Sequence, residues 1–297
     1  MASWIWEVQK MSKMLVTGGA GFIGSHLVDR LIAEGHDVVV YDDLSSGKIY
    51  NINAKARHYQ TSVELVDPNF HINDGYDVIF HLAAQSRLQP SIKNAIKTHT
   101  SNVTGTVMML ELAKRCKAKF VFAGSSTVCY DMYANPYAFS KQIGESYGLL
   151  WNKMYGVSVA IARFFNVYGP RQMESGDNAT LLGIFFDQKR RNVPLTITGD
   201  GTQRRDFIHV KDIVSGLIAM SRKDWNGQIF ELGTGDNYSV LEIAGMFNHP
   251  IVYIDRPLGE AQETKANVHD AKVLLNWRST YSIRDYIRSE LIFLDYA

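Results

Sequence analysis

The feature that most constrains this chain is a glycine-rich turn set between a short apolar strand and a helix. Met14-Leu15-Val16-Thr17 reads as the strand. Gly18-Gly19-Ala20-Gly21-Phe22-Ile23-Gly24 follows at once, and Ser25 to Ala33 reads as a helix that ends near Gly35. Gly18, Gly21 and Gly24 are spaced GxxGxxG. In a strand–turn–helix unit the first glycine permits the tight turn. The second lets backbone approach a pyrophosphate, and the third lets helix pack close to strand. The helix N-terminus then offers free N–H groups and a partial positive charge to phosphate. His36 to Tyr41 is a second, valine-rich strand, and Asp42 stands at its end, 18 residues after Gly24. A carboxylate at that spacing accepts from ribose hydroxyls and repels a 2′-phosphate, which favours NAD over NADP.

The pattern then repeats. Asp77 to Leu82, Lys119 to Ala123 and Ser158 to Arg163 read as strands, with helices over about Ile96 to Cys116 and Asn135 to Tyr155 between them. The stretch from Asp43 to Tyr76 is polar and shows no clear period. Strands alternating with helices imply βαβ units and a Rossmann-type α/β fold, a doubly wound parallel sheet. After Gly169 the pattern turns irregular, so a smaller C-terminal α/β substrate domain is expected there. The expected division is residues 1–168 for the NAD-binding domain, with part of 206–235 returning to it, and mainly 169–297 for the second domain. A length of 297 residues suits two such units at roughly 150 residues per domain. Residues 1–13, with Trp4 and Trp6, read as an extension ahead of the first strand.

Lys and Arg total 31 against 30 Asp and Glu. That balance argues against a protein that coats nucleic acid or an anionic membrane. No apolar run approaches the roughly 18 residues of a membrane span. The two cysteines, Cys116 and Cys129, build neither a disulfide framework nor a CxxC metal site. A cytoplasmic protein without a metal is the expectation.

The candidate chemistry lies at the carboxyl edge of the sheet, where ligands of open α/β sheets sit. Tyr137 and Lys141 are four apart on a helix, hence on one face. A tyrosine with a pKa of about 10 is a poor base at neutral pH. A nearby ammonium and a positive nicotinamide stabilise its phenolate. Upstream, the strand through Phe122-Ala123-Gly124 runs into Ser125, Ser126 and Thr127, which supply hydroxyls.

Glycine turn, ribose acid, serine and YxxxK in this order resemble the extended short-chain dehydrogenases/reductases, in their NAD-dependent epimerase/dehydratase branch, and most of all the UDP-sugar 4-epimerases. The resemblance covers nearly all of the chain after Lys13. It extends to Asp42-Asp43-Leu44-Ser45-Ser46-Gly47, to His81-Leu82-Ala83-Ala84-Gln85 and to Asn102-Val103-Thr104-Gly105-Thr106. It continues through Arg163-Phe164-Phe165-Asn166-Val167-Tyr168-Gly169-Pro170-Arg171, Arg205-Asp206-Phe207-Ile208-His209-Val210, and Arg256 with Glu260. It implies a catalytic Ser125, Tyr137 and Lys141. For NAD it implies Gly18, Gly21, Phe22, Ile23, Gly24, Asp42, Asp43, Leu44, Ser45, Gly47, Ser62, Val63, Leu82, Ala83, Ala84, Asn102 and Phe164, beside Tyr137 and Lys141. For a nucleotide sugar it implies Gln85, Ser125, Ser126, Asn166, Thr196, Arg205, Arg256 and Glu260. A homodimer paired through the two helices around 96–116 and 135–155 is also implied.

Branch members share a first step, in which the tyrosine takes a sugar hydroxyl proton while hydride leaves C4. Dehydratases and decarboxylating members carry an acid just after the catalytic Ser or Thr. Here Ser126 and Thr127 follow Ser125, which points to 4-epimerisation through a transient 4-keto sugar. The substrates implied are UDP-glucose/UDP-galactose or the N-acetylated pair. A 4,6-dehydratase, a 4-keto reductase or a catalytically impaired homologue stay open as alternatives. Thr264 falls at a gatekeeper position that is bulky in epimerases restricted to non-acetylated hexoses, so a 2-acetamido sugar is expected to fit. Three departures from the family stand out. Ser62-Val63 replaces an adenine-binding Asp, Gly124 replaces a common serine, and the interval from Ser125 to Tyr137 is clearly shortened. Tyr130, Met132 or Tyr133 is expected to cover the part of the sugar pocket that the longer family segment covers, and Cys129 is expected to be packing.

Overall fold

The computed structural model describes residues 11–70, 74–256 and 261–296. Its first half alternates as the periodicity predicts. β1 (Lys13–Thr17), α1 (Phe22–Ala33), β2 (Asp37–Asp42), β3 (Arg57–Gln60) and β4 (Val78–His81) come first. The short α2 (Leu88–Lys93) and α3 (Ala95–His99) follow, and a π-turn over Thr100–Thr104 joins α3 to α4 (Gly105–Cys116). Then come β5 (Lys119–Ser125), α5 (Pro136–Tyr155) and β6 (Val159–Phe164). After that the chain passes through β7 (Asn166–Tyr168), α6 (Leu181–Arg190), β8 (Leu195–Thr198), β9 (Arg204–Arg205), β10 (Phe207–His209), α7 (Val210–Ser221) and β11 (Asn226–Leu232). It ends with β12 (Tyr238–Ser239), α8 (Val240–Gly245), β13 (Ile251–Ile254), α9 (His269–Leu274) and α10 (Ile283–Tyr296).

Seven strands form one sheet in the order β11-β6-β5-β4-β1-β2-β3. Every pairing in it is parallel. This is the Rossmann-type doubly wound topology, and its strand order reverses between β1 and β4. The central strands are apolar on both faces because helices cover both. α1 and α7 seal one face over Leu27, Val28, Leu31, Ile213 and Leu217. α4 seals the other over Met109, Leu110, Leu112 and Ala113, against Phe120, Phe122 and Ile161.

Beyond β6 the chain leaves the sheet. It builds a smaller unit on two parallel pairs, β7 with β10 and β8 with β13, and one antiparallel pair, β9 with β12. This unit has its own core of Tyr168, Phe185, Phe186, Leu195, Ile197, Phe247, Ile283 and Ile287. α7 and β11 pass back to the large sheet, with β11 adding its edge strand beside β6. Two polar stretches thus carry elements that periodicity does not reveal: β3, and α2 with Pro90 inside it.

Candidate active site

The carboxyl ends of the strands and the smaller unit enclose a cleft of about 1090 Å³. Its floor is the glycine turn. Helix α1 begins at Phe22, three residues earlier than the sequence suggests, so Phe22, Ile23 and Gly24 form its first turn. A Cβ on Gly24 would collide with the Gly18 carbonyl oxygen, and one on Gly18 would stand 2.9 Å from the Ala83 nitrogen. Gly18 also has φ +72°. Only glycine allows the helix start to press onto the turn and the turn onto the end of β4.

Asp42 is buried at the end of β2. Its oxygens accept from Ala20 N at 2.9 Å and Leu44 N at 2.8 Å. Burial pushes its carboxyl up, against these two bonds. Asp43 stands beside it and accepts from Ser45 N and from the hydroxyls of Ser45 and Ser62. Two adjacent carboxylates on the wall suit ribose hydroxyls as donors and repel a 2′-phosphate. Gly18, Gly21, Phe22, Ile23, Gly24, Asp42, Asp43, Ser45, Ser62, Val63, Leu82, Ala83, Ala84 and Phe164 all line the cleft.

At the other end of the cleft, Ser125, Tyr137 and Lys141 come together, and all three line it. The shortened interval closes economically. Residues Ser126–Cys129 make one 3-10 turn. Asn135 then caps α5 by accepting from Ala138 N at 2.9 Å, with Pro136 in the first turn. Tyr137 N donates to Ser91 Oγ at 3.1 Å, which ties the helix start to α2. Ser125 Oγ accepts from Thr127 Oγ1 at 2.9 Å. Burial pushes the Tyr137 hydroxyl up, while the Ser125 hydroxyl and the Arg87 charge pull it down. Lys141 is buried, donates to the Ala123 carbonyl at 2.8 Å and lies over the Phe122 ring. Burial lowers it to about 8, against the pull of the Glu145 carboxylate. Behind Lys141, Arg163 donates to Glu145 from Nη2 at 2.7 Å. A side chain at Gly124 would stand 2.8 Å from Glu145 Oε1, which explains why glycine replaces serine there.

The remaining expected residues divide. Gln85, Ser126, Asn166 and Arg205 line the cleft. Asn102 does not: it lies in the π-turn with its amide spent on Gln85 N, Gln85 O and Ser140 Oγ, so it shapes the loop that lines the cleft. Leu44 and Gly47 lie behind Asp42, the former through its backbone N–H. A Cβ on Gly47 would stand 2.8 Å from Asp42 Oδ1. Thr196 is turned away: β8 presents it to α6, where Gln188 Nε2 donates to its hydroxyl at 2.9 Å. Arg256 donates to Gln262 Oε1 and the Ala261 carbonyl, off the cleft wall. Glu260 lies outside the described residues, as do Trp4 and Trp6.

Cys129 is exposed rather than packed, with Sγ near Arg163 and Glu231. Tyr130 lines the cleft and accepts from Lys265 N at 2.8 Å, tying the short segment to the smaller unit. Tyr133 is exposed beside Phe139. Sequence reasoning missed Arg87, which lines the cleft near Tyr137. The one signal for it was a cation two residues past the Gln85 motif.

Glycine cradle, paired carboxylates and a Ser–Tyr–Lys group at one sheet edge suit a dinucleotide-dependent enzyme. The profile of the NAD dependent epimerase/dehydratase family matches residues 14–233, and the chain belongs to that family. NAD is the cofactor of this family, and the cradle and carboxylates fit it.

A Methanocaldococcus jannaschii protein with the provisional name UDP-glucose 4-epimerase is 35% identical over 93% of this chain and 96% of its own length. UDP-glucuronic acid decarboxylase 1 of Arabidopsis thaliana is 33% identical over 93% of this chain and 68% of its own. The crystal structure of UDP-glucuronic acid 4-epimerase from Bacillus cereus, in complex with UDP-glucuronic acid and NAD, superposes with a TM-score of 0.87 at 28% identity. It covers 96% of this chain and 99% of its own. Among the described residues no helix is long and apolar enough to cross a membrane.

Proposed function

We propose that the protein is a UDP-sugar 4-epimerase that works through a transient 4-keto sugar. The observation that carries this reading is the segment after the catalytic serine. Ser125, Tyr137 and Lys141 meet in the cleft, and Ser126 and Thr127 supply only hydroxyls where a dehydrating or decarboxylating enzyme needs an acid. When bound, NAD supplies the reversible hydride acceptor for C4. Tyr137 takes the proton of the 4-hydroxyl as the hydride leaves, and gives it back when the hydride returns to the opposite face. Proton and hydride are both restored, so no net oxidant is consumed. Ser125 donates to the sugar oxygen or the phenolate and holds the two in line. Lys141, fixed by the Ala123 carbonyl, places positive charge beneath the phenolate. Asn166 and Arg205 stand on the wall across the cleft and suit the diphosphate, since a guanidinium fork matches phosphate oxygens. Thr264 also lines the cleft, and its small side chain leaves space for a 2-acetamido group.

The proposed setting is cytoplasmic. The proposed assembly is a homodimer paired through α4 and α5, of which α5 exposes Phe139, Leu149, Leu150, Met154 and Tyr155. The test is incubation of the NAD-loaded protein with UDP-glucose, UDP-N-acetylglucosamine and UDP-glucuronate, with products resolved by chromatography. A 4-epimer of unchanged mass is expected from at least one of them without added reductant. Tyr137→Phe should lower that turnover at least a thousandfold, on the scale of a lost general base. Products that lack water or carbon dioxide would overturn the reading.

A further inference from the structure

Arg87 sits in the loop between β4 and α2 and is part of the cleft wall. Its Nε donates to the Asn178 carbonyl at 3.1 Å. That bond fixes the plane of the guanidinium. The two terminal nitrogens make no further hydrogen bond among the described residues, nor does any carboxylate there come within ion-pair distance. Arg171, another guanidinium that lines the cleft, is neutralised by Asp29 at 2.7 Å. Among the described residues Arg87 therefore stands as a half-buried cation without a counter-charge, an arrangement that costs free energy unless something else brings the anion. Burial works against its charge, and the group it acts on most directly is the Tyr137 phenol.

The position of that anion follows from the sugar. Tyr137 marks where O4 of the substrate lies. The diphosphate hangs from C1, across the pyranose ring from C4, toward Asn166 and Arg205. A cation beside Tyr137 is therefore at the end of the sugar away from the phosphates. The substituent next to C4 that can carry a negative charge is the one at C5, oxidised to a carboxylate. A guanidinium with one edge pinned and its terminal donors free matches a carboxylate through two parallel hydrogen bonds.

We infer that Arg87 is a specificity-determining residue that clamps a C6 carboxylate, so that the preferred substrates are UDP-hexuronates. This rests on the 4-epimerase reading for the orientation of the sugar, but its test does not require turnover. Such a charge-assisted pair is worth roughly 10- to 100-fold in affinity.

The experiment compares binding of UDP-glucuronate and UDP-glucose to the NAD-loaded Tyr137→Phe protein by calorimetry. It is repeated in Tyr137→Phe with Arg87→Gln or Arg87→Lys, each checked for bound NAD and for its melting curve. Removing the phenol eliminates any role of Arg87 in stabilising a phenolate. UDP-glucuronate is expected to bind at least tenfold more tightly than UDP-glucose. Arg87→Gln should cut that ratio at least tenfold, with Arg87→Lys retaining part of it. An unchanged ratio in Arg87→Gln would overturn the inference, and so would loss of bound NAD with both sugars weakened equally. If the wild-type protein epimerises no UDP-sugar while the ratio still collapses, the epimerase reading fails and the carboxylate clamp stands. If epimerisation is intact and the ratio unmoved, the clamp alone fails.

Discussion

The two halves of the molecule are stabilised by different means. The NAD half is a seven-stranded sheet sealed by apolar helices on both faces, and its strand interiors are Val, Ile, Leu and Phe. The smaller unit has an apolar core of its own, but its loops are knotted by buried carboxylates. Asp206 is fully buried. It accepts from Thr234 N and Oγ1 at 2.8 Å, Gly235 N at 2.9 Å and Ala266 N at 3.1 Å. Asp212, on α7, ties the smaller unit to the large sheet in the same way, accepting from Thr280 and Tyr281. Short two-stranded pieces bury too little apolar surface to fix their own loops, and each of these carboxylates gathers several backbone donors in their place. The sheet half is held chiefly by packing. The smaller unit adds to its core a few polar hubs that a single substitution can loosen.

Asp206→Asn carries the largest expected effect. It turns one acceptor into a donor facing N–H groups already committed to it, and should destabilise by roughly 3 kcal/mol. Hydrogen exchange separates the halves: amides of 233–235 and 264–266 should lose protection while those of α1 and β2 keep theirs. Equal loss in both would show one cooperative unit and dissolve the contrast.

Lys141 is a buried cation inside the apolar half, and it shows what the proposed catalytic role costs there. Its pKa in the folded protein is about 8 against 10.5 for the free side chain. The unfolded chain therefore holds the extra proton across that window. Wild-type stability rises with pH between the two values, and the full penalty of the buried charge applies below pH 8. Two and a half pKa units correspond to about 3 kcal/mol. Lys141→Met should recover about 2 kcal/mol of this at pH 7, after the lost bond to Ala123, while abolishing turnover. The gain should shrink as pH rises toward 10. A destabilised Lys141→Met would mean that the ammonium is better solvated than its burial suggests.

How legible each half was follows the same division. The valine run of β2, the apolar run of β4 and the glycine spacing before α1 announce the sheet half, because a core sealed on both faces leaves a strong apolar trace. β3 escaped because it is a polar edge strand of four residues, and α2 because it is a single turn and a half around Pro90. Strands of two or three residues, such as β9 and β10, are too short to repeat the two-residue strand period. Family resemblance brought Asn166 and Arg205 to the cleft wall, but misplaced Thr196, which only its pairing register turns toward Gln188. Arg87 carried no motif, and it becomes notable only because the fold sets it beside Tyr137.

The smallest expected effect tests how loosely the sugar half is specified. Thr264 lines the cleft, and its hydroxyl accepts from Asn166 Nδ2 and Asp206 N, both at 3.4 Å. Bonds that long contribute little; Thr264 is buried, so the cost of Thr264→Tyr stays at about 1 kcal/mol only because the added ring can enter the cleft that Thr264 lines. Its consequence lies in shape. A phenol at this position fills the space beside C2, and kcat/KM for a 2-acetamido UDP-sugar should fall tenfold or more relative to its 2-hydroxy counterpart, as steric exclusion from a pocket allows. Parallel assays of UDP-N-acetylglucosamine and UDP-glucose give that ratio directly. If it does not move, Thr264 is not the gate. The acetamido group then lies against another wall of the cleft, and the proposed gate at C2 is set by other residues.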